Sequence, residues 1–176
     1  MHLNKLILAT LVIGVSTLAQ ARKEELYNSH YVETIADKEW QEQQVALPSY
    51  PDNNAKWVDL YISGTYTGQP KLMVNSIFVN SDGTIHYILN QQSKEGINNL
   101  SVEAIRCIKR SVKAYGYGDD VNKRWVQPRN PQWKVIGTAL NQLDPVRSVL
   151  YQTFCEDGLP STEKELLNRI QTRAMR

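Results

Sequence analysis

"KLMVNSIFVNSDGTIHYILNQQS", residues 71–93, is the stretch from which the fold can be read. Two apolar runs flank Asn80-Ser81-Asp82-Gly83, and an Asp-Gly pair suits a tight hairpin because glycine supplies the backbone conformation such turns require. In the second run Ile85, Tyr87 and Leu89 alternate with His86, Ile88 and Asn90, the period of a strand with one apolar face. The same alternation sets His86 on the wetter face. With no second histidine near it, His86 reads as an exposed bystander rather than a ligand or base.

Working outward, "KWVDLYIS" (56–63) is rich in aromatic and β-branched residues and reads as another strand. "SVKAYGYG" (111–118) and "RWVQP" (124–128) form a second hairpin around "DDVNK". In "RWVQPRNPQWKVI", Trp125 and Trp133 flank Pro128 and Pro131 in an extended aromatic segment. Large rings supply much of a small core's buried area, so packing is favoured there over a ligand groove.

Four helices are expected around these strands. "DKEWQEQQVALPSYP" (37–51) offers Asp37 as N-cap, a short helix carrying Trp40, and an end near Leu47-Pro48. "NNLSVEAIRCIKRS" (98–111) fits a second, with Ser101 as N-cap and Ile105 and Ile108 on one side. Asp144-Pro145 starts a third, whose stripe Val146, Val149, Leu150 and Phe154 runs towards Gly158. Thr162 and Glu165 stand in capping-box spacing at the start of the fourth; its narrow stripe of Leu166, Ile170 and Ala174 suggests peripheral packing. The fold class expected is α+β: a small antiparallel sheet built from two hairpins, packed with short helices and carrying one disulfide.

The bridge follows from where the chain is expected to go. "MHLNKLILATLVIGVSTLAQARKEE" has Lys5 as a positive start, an apolar run from Leu6 to Leu18 and the small-x-small site Ala19-Gln20-Ala21, the pattern of a cleavable signal peptide. The run falls short of the roughly 20 apolar residues a membrane span needs. Residues 1–21 are thus read as the leader, 22–36 as a flexible N-terminal segment and 37–176 as one domain, located in the periplasm, with outer-membrane association left open. In an oxidising compartment the chain's two cysteines, Cys107 and Cys155, are expected to pair. The competing reading makes Cys107 a nucleophile, its thiolate favoured by Arg106, Lys109 and Arg110.

Of the 20 basic residues only Lys5 lies in the leader, which leaves 19 against 18 acidic ones. That balance gives no electrostatic case for nucleic acid or an anionic membrane, and no membrane span is expected in the mature form. An enzyme would need converging nucleophile, base and charge-stabilising groups. The chain lacks H-E-x-x-H, G-x-S-x-G and a phosphate-binding glycine loop, while Asp119-Asp120 and Glu156-Asp157 read as solvated turn residues. No catalytic residue, metal site or cofactor is expected. Arg106 and Arg129, with Trp125 and Trp133, are the candidates for contacting a ligand or partner, because guanidinium forks carboxylates and phosphates; the competing reading makes both arginines internal anchors.

Taken together, "EW" followed by "LPSYP", "SVEAIRC", "KAYGYG", "RWVQPRNPQW" and "LYQTFCEDG" resemble the pattern of the cryptic neisserial protein family, small exported proteins of proteobacteria, over roughly residues 39–158. The resemblance implies that Trp40, Arg106, Cys107, Tyr115, Gly118, Trp125, Arg129, Trp133 and Cys155 occupy motif positions. Where that family often has an aromatic residue and a glycine, this chain has Val102 and Ala104. A shorter stretch, 77–110, is similar to the C-terminal domains of envelope energy-transducing proteins such as TonB, which would imply a sheet edge that accepts a partner strand. The functional expectation is an exported structural or binding module whose partner is an envelope protein or a small anionic ligand.

Overall fold

A computed structural model of the chain describes residues 34–137 and 144–175. The expected leader, its expected cleavage site and most of the expected N-terminal segment lie outside the described residues. Strand β1 (Trp57–Asp59), β2 (Gln69–Val79), β3 (Thr84–Gln92), β4 (Leu100–Arg106), β5 (Ser111–Asp119) and β6 (Arg124–Val126) follow one another across a wholly antiparallel sheet, and β7 (Lys134–Val135) pairs with the start of β5. The hairpin read from residues 71–93 joins β2 to β3, with Gly83 at φ 80° in its turn. The second hairpin joins β5 to β6. The sheet is interrupted in β2 between Met73 and Phe78, where the Ser76 hydroxyl donates to Met73 O and accepts from Ile88 N, filling the gap in the ladder.

Residues 100–106 are a strand and not the expected helix. β4 lies between β3 and β5, and Leu100 to Ile105 are all buried, so both faces are covered. Such a strand need not alternate in polarity. Ser101, Glu103 and Ile105 face one layer; Leu100, Val102 and Ala104 face the other. The Ile105/Ile108 spacing was helical by coincidence: Ile108 falls in a 3-10 turn (Cys107–Lys109) and is exposed.

One face of the sheet packs against helix α2 (Pro145–Cys155), helix α3 (Glu163–Arg169) and the π-helical turn Ile170–Ala174 that continues it. Leu72, Ile85, Tyr87, Leu89 and Ile105 meet Leu150, Phe154, Leu166 and Ile170 there, all at 1% exposure or less. Asp144 caps α2 through its carboxylate to Arg147 N, as expected. Thr162 caps α3, but Glu165 reaches Ser161 rather than closing the reciprocal box on Thr162. Leu166, Ile170 and Ala174 belong to the main core, so the last helix is not peripheral. Cys107, just past β4, is bridged to Cys155, the last residue of α2, over a Cα–Cα distance of 5.3 Å.

The opposite face is covered by residues 40–51, which form neither helix nor strand. The helix expected to carry Trp40 is only the single turn α1 (Ile35–Lys38), and Asp37 lies inside it rather than capping it. Leu47 and Tyr50 pack instead on a second cluster centred on Ile88, Leu100 and Val102, while Trp40 and Glu42 bond to Asp82 and Lys113. β1 is likewise shorter than the run 56–63: after Leu60 N bonds to Pro70 O, Tyr61 N turns to Ala174 O.

Candidate functional site

Residues 40–51 form a strap held by side chains from distant strands. Glu42 is its main fastening: Lys113 Nζ donates to both carboxylate oxygens at 2.7 and 2.8 Å, the Tyr115 hydroxyl at 2.8 Å and the Trp133 indole N–H at 3.0 Å. Burial works against the charge, yet the donors from Lys113, Tyr115 and Trp133 prevail and hold the carboxyl below its ordinary value. The second fastening is Asp82 in the β2–β3 turn, which accepts from Gln43 N while its own carbonyl accepts the Trp40 indole N–H. At the far end Trp125 Nε1 donates to Pro48 O, and Tyr50 packs on the Trp125 ring at 4.9 Å. Gly118 is required here, since a Cβ would lie 2.7 Å from Leu100 Cβ and 3.0 Å from the Tyr50 hydroxyl.

Two sequence-derived candidates meet at Trp40, at the start of the strap. The Arg106 guanidinium stacks 3.8 Å over the Trp40 ring, and Trp133 meets Trp40 edge-on at 6.0 Å. Trp125 sits at the other end of the strap. Arg129 is exposed beyond β6 and joins none of these contacts. Cys107 and Cys155 stand apart from this face and are joined to each other.

His86 is buried, at 4% exposure, and so does not occupy the wet face expected of it. The strap is what buries it. Its ring stacks on Phe78 at 5.0 Å, faces Tyr115 at 5.4 Å, and helps line a cavity of about 50 Å³ under Val45 and Leu47. The Thr84 hydroxyl donates to Asp82 at 2.6 Å, so at its 2.9 Å contact with His86 Nε2 it accepts. This is the reverse of a nucleophile giving its proton to a histidine base. Burial lowers the histidine's pKa, only partly offset by Asp82 and Glu42, which favours the neutral ring.

On the helix side, Glu103 is fully buried and takes Arg147 through both oxygens, together with Ser101 Oγ and the Tyr87 hydroxyl. Every acceptor there is engaged, which makes it an internal anchor between β4 and α2. Among the described residues no three His, Cys, Asp or Glu side chains group as metal ligands would.

Beyond the strap's end the same sheet face opens into a pocket of about 660 Å³. Tyr50 and Trp57 contribute aromatic surface, and Asn90, Gln92 and Asn98 contribute an amide wall. The amides are linked: Asn90 Nδ2 and Gln92 Nε2 both donate to Asn98 Oδ1, at 2.8 and 3.1 Å, and Asn98 Nδ2 donates to Asp120. Asp120 also accepts from Lys123 and from the Tyr50 hydroxyl. Burial, and then the nearby carboxylates of Asp120 and Asp119, push the Tyr50 phenol up to about 12. Of these pocket residues only Asn90, as a strand position, and Asp120, as a solvated turn residue, are named from sequence, neither as part of a site. The available signals were aromatics at "LPSYP" and "KWV" and the amide-rich flanks of residues 90–99.

The geometry defines a class: a disulfide-stapled antiparallel sheet, helices on one face and a polar-fastened strap on the other. The chain belongs to the CNP1-like family, whose model matches residues 35–171. It is 40% identical over 188 residues to "Cryptic neisserial protein 1" of Neisseria gonorrhoeae (strain ATCC 700825 / FA 1090), covering 97% of this chain and 93% of that protein. The resemblance to the cryptic neisserial protein family is therefore borne out. No solved structure matches the chain.

Proposed function

We propose that the chain is an exported, non-catalytic binding module of the cell envelope, acting in the periplasm. The observation that carries this reading is the open pocket of about 660 Å³ beside the strap, on a sheet fixed from both sides by the disulfide and the Glu42 fastening. Ligand sites of this size with a few convergent polar groups on a rigid scaffold are the usual binding arrangement. The reading as a binder rather than an enzyme is supported by Glu103, whose two oxygens are both taken up by internal donors, and by the direction of the Thr84–His86 contact, in which the hydroxyl accepts rather than gives up its proton. Export is supported by the leader pattern and agrees with the Cys107–Cys155 bridge.

A thermal-shift panel tests it. The purified mature domain is heated with neutral saccharides, with short uncharged peptides and with small phosphates. A ligand of at least one class raises the melting temperature through linkage, and Trp57→Ala removes the rise. No rise with any class at millimolar concentration would contradict the reading.

A further inference from the structure

We propose that the open pocket takes a neutral saccharide, a proposal that rests on the binding reading above and names its ligand class. Three of the chain's four tryptophans have their indole N–H engaged internally: Trp40 with Asp82 O, Trp125 with Pro48 O and Trp133 with Glu42. Trp57, which lines the pocket, donates to nothing among the described residues and has no ring partner there. Its inner side packs on the Ile88 cluster, which fixes the ring at the pocket wall.

The charges lining the pocket are balanced. Lys71 is paired with Asp59 at 3.0 Å, Lys123 with Asp120 at 2.5 Å, and Asp52 is taken up by the Asn54 backbone and side-chain amides. Both lining lysines are thus ion-paired, which disfavours selection of a phosphate or carboxylate, while the Asp52 carboxylate keeps its charge and can accept from ligand hydroxyls. Besides the Asp52 carboxylate, the polar groups that remain are planar amides and an indole N–H. Asn98 Oδ1 already accepts two bonds, which orients the Asn90 and Gln92 amides. Gln92 Oε1 has no donor among the described residues and can accept from a ligand hydroxyl. A ligand matching this wall carries no anionic group, offers closely spaced hydroxyls to the amides and to Asp52, and presents an apolar face to aromatic carbon. A pyranose meets all three conditions.

The test records ¹H–¹⁵N spectra of the mature domain titrated with maltose and with N,N′-diacetylchitobiose, with trialanine and glycerol 3-phosphate as comparators. Saturable shifts are expected with at least one saccharide, largest at the Trp57 indole and the Asn90, Gln92 and Asn98 side-chain amides, while the Trp40 and Trp133 indoles stay put. Trp57→Ala should weaken binding at least about tenfold and Gln92→Ala about three- to tenfold, with Gln92, on the rim, leaving folding intact. Saturable shifts only with trialanine or glycerol 3-phosphate would overturn the saccharide assignment and leave the binding reading standing. No saturable shift with any of the four probes would overturn the assignment and count against the pocket itself, as would saccharide affinity unchanged in Gln92→Ala.

Discussion

Arg147 and Glu103 show how a single pair can fix the position of a helix on a sheet. Glu103 is fully buried, and its charge is tolerable because Arg147 meets both oxygens while Tyr87 and Ser101 supply further donors. Removing one partner of such a pair costs more than removing both. Arg147→Met is therefore expected to lower stability in urea by about 3–5 kcal/mol, and adding Glu103→Gln should recover part of that loss. On the strap side, three titrating groups give the domain a two-stage acid response. His86 has a folded pKa below its unfolded 6.5, so the unfolded chain binds more protons and stability falls as pH drops below about 6.5. Asp82 and Glu42 are held below their ordinary values, so their contribution is present above those values and is lost as pH falls through the lower folded ones. His86→Phe should flatten the first stage and Glu42→Gln the second, read from melting temperatures across pH 3 to 8.

Among the elements, those with local instructions were legible and those with distant ones were not. The hairpin at 80–83 and helix α2 at Asp144-Pro145 are written in turn and cap chemistry confined to a few residues, and both formed as expected. β4 was hidden because its polar residues are interior ones: Glu103 belongs in the core only because Arg147 arrives from 44 positions away. The strap was hidden for the same reason. "DKEWQEQQVAL" has good helix formers, yet Glu42 finds its donors 71, 73 and 91 positions away, and tertiary bonds outweigh propensity. Among site residues, Arg106, Trp125 and Trp133 were singled out from sequence and lie at the strap, while the pocket's amides went unread because single Asn and Gln residues carry no periodic signal. Two element-scale outcomes follow. Glu42→Ala should free the strap and raise hydrogen exchange at Gln43 N without changing exchange in the centre of β4. Cys107→Ser should cost up to about 4 kcal/mol, the chain-entropy value for the 48-residue separation, measured by urea denaturation.

At the scale of the whole molecule, two layers close a six-strand antiparallel path with β7 at its side, one layer built by the C-terminal helices and the other by the N-terminal strap. Residues from both ends of the domain thus complete a sheet whose strands pair largely in sequence order, and the disulfide ties α2 to the end of β4. The binding account needs this frame to exist in an oxidising compartment, since the reduced chain loses the link between helix layer and sheet. Intact-mass measurement of the protein isolated from a periplasmic fraction tests export and bridge together. The account predicts a chain beginning at Arg22 with the mass of the oxidised form and no thiol that alkylates under native conditions. A chain beginning at Met1, or a native protein in which both Cys107 and Cys155 alkylate, would contradict it.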